Sequence, residues 1–154
     1  MTMVRFFLIA SLTLFCCGCL AQTPTASKQD DLEAKQFRID NGKSYIYIVW
    51  PSGLAGGALA LEINVNGKII GKISRGKYYL VVSEPKETNF VAALPLDKLS
   101  PPPPITYFSC QSNRCKYLEG NIQWGAVMLF RELDDEKGEK IINSSSLIRK
   151  IVLE

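Results

Sequence analysis

Four groups of residues in this chain are of types and spacings that chemistry uses. Ser74 and Lys77 have the Ser-x-x-Lys spacing of a hydroxyl nucleophile with a lysine base. That pair works when the serine opens a helix and one turn presents both groups; here the two flank Arg75-Gly76, a turn signal, so they diverge. Ser52-Gly53-Leu54-Ala55-Gly56-Gly57 has the glycine content of a phosphate loop. It lacks the Gly-Lys-Ser/Thr ending, and a strand rather than a helix follows, so it reads as a bulged crossover. Asp134-Asp135-Glu136-Lys137 is acidic enough to suggest calcium. It lacks the alternating Asp/Asn spacing of a calcium loop and reads as a solvated, acid-rich helix start that Gly138 keeps short. The fourth group is Cys110 and Cys115. Without further Cys or His nearby they are not a zinc set, and they are not spaced Cys-x-x-Cys, so the expectation is a structural disulfide.

Composition narrows the chemistry further. The 154 residues include no histidine, which removes the commonest general base, the commonest transition-metal ligand and the usual partner of a Ser or Cys nucleophile. No catalytic residue, cofactor site or metal site is therefore expected. The 18 basic and 15 acidic side chains are mixed along the chain, without the basic stripe and interleaved aromatics of a nucleic-acid binder. The length allows one domain plus a leader and a linker.

The elements that hold these groups are strands. Ala58 to Val65 alternates, with Leu59, Leu61, Ile63 and Val65 on one side. Asn66-Gly67 then signals a hairpin, and Lys68 to Ile73 runs back. A two-residue turn would oppose Leu61 with Lys72. A three-residue loop, Val65-Asn66-Gly67, opposes Ile63 with Ile69 and Leu59 with Ile73, and is favoured because register follows the buried face. Tyr45 to Trp50 is apolar on both faces, as in a central strand. Lys77 to Val82 follows the Gly76 turn, and Thr88 to Leu94 is a further strand.

Pro95 to Pro104 holds five prolines, a stiff crossover that cannot lie inside a sheet. Ile105 to Cys110 and Cys115 to Leu118 read as a second hairpin around a four-residue loop. Opposed residues there lie within disulfide reach, and closing so short a loop is worth roughly 2 kcal/mol. Ile122 to Leu133 reads as one long strand. Ser144-Ser145-Ser146 is expected to cap a last short helix, Leu147 to Leu153.

The N-terminus has the features of a secretory signal: Arg5, then the apolar run Phe6 to Phe15, too short to cross a bilayer. Its end, Cys16-Cys17-Gly18-Cys19, resembles a bacterial lipobox with Cys19 as the lipidated residue; Cys16 stands where that pattern prefers leucine. Cleavage after Ala21 is the alternative. Residues 1–21 are thus a leader, 22–36 a flexible tether with a frayed helical turn around Asp31 to Lys35, and 37–154 the folded domain.

With Pro51-Ser52 and the glycine loop, Val65-Asn66-Gly67-Lys68, Gly71 and Gly76-x-Tyr78 in that order, the chain resembles the bacterial envelope lipoproteins of domain-of-unknown-function family 2846. It departs from them at Glu84-Pro85-Lys86-Glu87, where that group usually has Pro-Gly. The resemblance implies an anchored β-sandwich and no known catalytic residues. The expected fold is a small antiparallel β-sandwich, immunoglobulin-like or transthyretin-like, with a short C-terminal helix. Asn66, Gly67, Gly71 and Gly76 define its turns, and Ile46, Ile48, Trp50, Leu59, Leu61, Ile63, Ile69, Ile73 and Val127 form its core. The expected role is a non-enzymatic, outer-membrane lipoprotein facing the periplasm, with the membrane and other envelope proteins as partners. The alternative is a soluble secreted binding protein using Pro101–Pro104 or Gly53–Gly57.

Overall fold

The computed structural model describes residues 24–53, 60–85, 89–94, 104–123 and 127–153, with Phe90, Leu94, Gln123 and Val127 described as backbone alone. The expectations for the leader, Cys19, Leu54 to Gly57, Leu59, Pro101 to Pro103 and the Val127 side chain lie outside these.

Helix α1 (Lys28–Ala34) is followed by β1 (Ser44–Trp50), β2 (Ala60–Val65), β3 (Lys68–Ser74), β4 (Lys77–Ser83), β5 (Asn89–Leu94), β6 (Thr106–Phe108), β7 (Arg114–Gln123) and β8 (Val127–Leu133). Helix α2 (Asp135–Asn143) and β9 (Ser146–Val152) complete the described chain. The strands form two sheets, β8-β7-β1-β4-β9 and β3-β2-β5-β6. The molecule is a mostly-β sandwich. The smaller sheet is antiparallel, but the larger is mixed, because β1 runs parallel to β7 and β4 parallel to β9. This corrects the all-antiparallel expectation.

The chain's two-faced strands explain the layering. Ile46, Ile48 and Trp50 of β1 join Tyr79 and Val81 of β4, Leu118 and Phe130 in a core against Leu61, Ile63, Ile73 and Val91 of the smaller sheet. The alternate residues of β1 and β4, Tyr45, Tyr47, Val49, Tyr78, Leu80 and Val82, build a second cluster on the outer face of the larger sheet. Ala34 of α1 and Ile142 of α2 cover it. An apolar face on each side of a strand requires a layer on each side.

The Asn66-Gly67 hairpin uses the two-residue turn. Asn66 and Gly67 both have positive φ, 51° and 83°, the type I′ geometry that matches strand twist, and Val65 opposes Lys68. The phase problem is solved by a bulge: Asn64 opposes Ile69 but Ile63 opposes Gly71, leaving Ile70 as the extra residue. Beyond it Leu61 opposes Ile73. Ile70 is therefore in the core at 3% exposure and Ile69, expected there, is 55% exposed. Gly71, at φ 137°, supplies the bulge and leaves room for the Tyr79 hydroxyl, which a Cβ would meet at 2.4 Å. Ile70→Ala is expected to cost about 2–4 kcal/mol and Ile69→Ala less than about 1 kcal/mol in urea unfolding; equal losses would contradict the bulge.

Three other expectations change. Residues 105–118 are not a hairpin, because β6 pairs with β5 in one sheet and β7 with β1 in the other. Residues 122–133 are not one strand: β7 and β8 are an antiparallel pair in which Gln123 opposes Val127. Residues 147–153 are not a helix but largely the strand β9, against β4. The C-terminal helix is α2, capped by the Asp134 side chain, which accepts from the Lys137 N–H at 2.9 Å. It runs through Gly138 because that residue lies against Tyr117.

Candidate functional site

Within the segment expected to be a tether, 22–36, residues 26–35 dock against the larger sheet. Ser27 caps α1, its side chain accepting from the Asp30 N–H, and the Ala26 N–H donates to the Leu147 carbonyl of β9 at 2.9 Å. Asp31 is the node. Its carboxylate accepts from the Tyr78 hydroxyl at 2.9 Å, the Leu147 N–H at 2.8 Å and Lys35 Nζ at 2.7 Å. Lys35 Nζ also donates to the Ser145 carbonyl at 2.7 Å, and the Tyr47 hydroxyl donates to the Ala34 carbonyl at 2.7 Å. Burial pushes the Asp31 carboxyl up, but hydrogen bonds from Lys35, the Leu147 N–H and Tyr78 outweigh it and hold the group below its usual range.

Phe37 ends this strap in the left-handed region at φ 51°, unusual for a bulky side chain. Its ring centroid lies 5.5 Å from that of Tyr47 and 6.1 Å from that of Tyr117. Those two tyrosines stack at 5.2 Å, so aromatic packing offsets the backbone cost. Burial raises the phenol pKa of Tyr47, Tyr78 and Tyr117 far above the usual value, and the cluster stays neutral.

Beside the strap lies a groove of about 790 Å³ between α1 and β9. Asp30 and Glu33 of α1 and Lys150 of β9 line it with Arg38 and Asp40. Arg149 borders it too, but its guanidinium turns to the smaller sheet and donates to the Ile70 carbonyl at 2.8 Å. Tyr45 donates to Asp40 Oδ2 at 2.6 Å, and Lys150 Nζ sits 5.5 Å from the centre of the Tyr45 ring. The groove offers recognition by charge and hydrogen bonding around a tyrosine-rich floor.

A second cleft, about 270 Å³, is lined by Cys110, Cys115, Arg114, Lys116, Glu132 and Asp135. The expected disulfide is not formed: both thiols are free. The reason is topological. Cys110 follows β6 and joins the core between the sheets, whereas Cys115 lies in β7 against the outer-face cluster. Burial pushes the Cys110 thiol up to about 11, against the opposing charge of Lys116, and raises that of Cys115. Alkylation of Cys110 in the native protein at pH 7.5 is expected to be about 100-fold slower than in the unfolded chain; comparable rates would mean that the thiol is not in the core.

No family model, curated protein or solved structure matches this chain. The other sequence candidates that lie among the described residues sit at turns and strand ends. Ser74 and Lys77 flank the two-residue link from the smaller sheet to the larger, away from any helix start. Gly76, at φ 69°, turns the chain there and donates to the Trp50 carbonyl at 2.7 Å. Gly53 makes room for Arg75, whose Nη1 would meet a Cβ at 2.8 Å and whose guanidinium lies 5.4 Å from the Trp50 ring centre. Among the described residues no group of three or more His, Cys, Asp or Glu is placed to hold a metal ion, and no helix is long and apolar enough to cross a membrane. The Asp31 node was missed from sequence. Its signal was Ser27 with Asp30 three residues on, a capping arrangement at the start of a short helix.

Proposed function

We propose that the protein is a non-enzymatic lipoprotein of the bacterial cell envelope, anchored through Cys19 in the outer membrane and facing the periplasm. It works as a structural or interaction module with other envelope proteins as partners. The sandwich is of immunoglobulin-like or transthyretin-like kind, and the turn residues Val65-Asn66-Gly67-Lys68, Gly71 and Gly76-x-Tyr78 relate it to domain-of-unknown-function family 2846. One observation carries the reading: the apolar run Phe6 to Phe15 closes on Gly18-Cys19, the order of a signal segment and a lipid acceptor. Two acyl signals anchor stably where one does not.

Growth with a fatty-acid analogue tests it. The wild-type protein is expected to take up label and Cys19→Ala to lose it. Label that persists in Cys19→Ala moves the lipid to Cys17. An unlabelled mature chain beginning at Gln22 replaces the anchor with a soluble, secreted binding protein.

A further inference from the structure

We infer that the end of the sandwich where Ala26 docks is held against the bilayer surface, and that the opposite end faces away from it. The inference rests on the anchor at Cys19 and deepens it, because the docking of residues 26–35 shortens the leash. Cys19 and Ala26 are seven residues apart, so the lipid and the first docked residue are separated by at most about 25 Å of extended chain. An unfolded segment to residue 36 would have more than doubled that reach.

The two ends of the sandwich are defined by backbone bonds. At the near end the Ala26 N–H meets the Leu147 carbonyl, the Ser146 N–H meets the Gly76 carbonyl, and the Gly76 N–H meets the Trp50 carbonyl, at 2.9, 2.9 and 2.7 Å. At the far end the Asn113 N–H donates to the Lys43 carbonyl at 2.9 Å and the Leu153 N–H to the Val82 carbonyl at 2.8 Å. The tip of the β2–β3 hairpin, Asn66-Gly67, also lies there, one strand length from Ser74 and the Gly76 turn. Seven-residue β4 spans about 23 Å between these ends. Inverting the domain would need the leash to run its full extension along the body, leaving no slack. Short slack favours the near end, with Lys28 and the Arg75-Gly76 turn, facing the headgroups. The far end then carries the cleft of Cys110, Arg114 and Lys116 outward.

The test uses the full-length mature protein purified from membranes, its intact mass read first for acylation. It is then placed in nanodiscs of phosphatidylethanolamine and phosphatidylglycerol doped with a gadolinium-chelating headgroup lipid, and its amide spectrum recorded. Signals of Lys28, Gly76 and Ser146 are expected to lose most of their intensity while those of Gly67 and Asn113 keep theirs. A Gly-Ser insertion of about ten residues after Gln22 is expected to erase that contrast. Acylated protein with equal loss at both ends, or with greater loss at Gly67 and Asn113, overturns the orientation and leaves the anchor standing. Contrast that survives the insertion overturns the leash as its cause. A mature mass without acyl chains removes the anchor and the orientation together.

Discussion

Gly138→Ala is expected to lower stability by about 2–3 kcal/mol, although alanine is the better helix former by about 1 kcal/mol. The sign is decided by Tyr117. A Cβ at Gly138 would stand 2.2 Å from Tyr117 Cγ and 2.7 Å from its Cβ, near the root of the side chain, which cannot swing clear. Tyr117 is itself buried and stacked on Tyr47, so the overlap passes into the cluster that both helices cover. Urea unfolding with an unchanged slope and a lower midpoint is the expected signature. A raised midpoint would mean that α2 does not rest on β7 as described.

Asp31→Ala is expected to cost about 2–3 kcal/mol, since it strips a carboxylate from three donors and leaves the Leu147 N–H and the Tyr78 hydroxyl partly buried without it. The loss has an address. Amide protection should fall across residues 28–36 and at Leu147, with the Leu61–Ile73 hairpin unchanged. The same carboxylate gives an acid limit with a definite sign. Its folded pKa lies below its ordinary value of 3.8, so its contribution is fully present above that value and is lost as pH falls through the folded pKa. The groups that bond to it are the Tyr78 hydroxyl, the Leu147 N–H and Lys35 Nζ. Strap protection that is constant from pH 7 to pH 2, or equal acid sensitivity in Asp31→Asn, would contradict the node.

Much of the architecture was legible because its signals were local. Asn66-Gly67 marked the hairpin, and the two-faced apolar pattern of Tyr45 to Trp50 marked the central strand of a covered sheet. The bulge at Ile70 was not legible from alternation, because one extra residue satisfies both the turn and the face where simple counting satisfies only one. Strand β9 was misread for the same reason. A register shift between Tyr78 and Tyr79 places Leu147 and Ile148 both in buried positions, and with Ile151 they mimic a helical spacing. Residues 105–118 looked like a hairpin because a short link between two strands reads alike whether it stays in one sheet or crosses to the other. The thiols followed that error. The strap was hidden by composition: Ser, Lys, Asp and Gln suit a solvated linker, and a seven-residue helix has too few apolar positions to show a period.

The closing of the larger sheet sets an order of assembly. Strand β1 waits for β7, whose Arg114 opposes Ser44, and β4 waits for β9. Helix α1, first of the described elements to leave the ribosome, needs Leu147 before it can settle. Pairings across such sequence separations are slow to form, so the strap is among the last parts to settle, and a chain cut back before β9 would leave α1 without its dock.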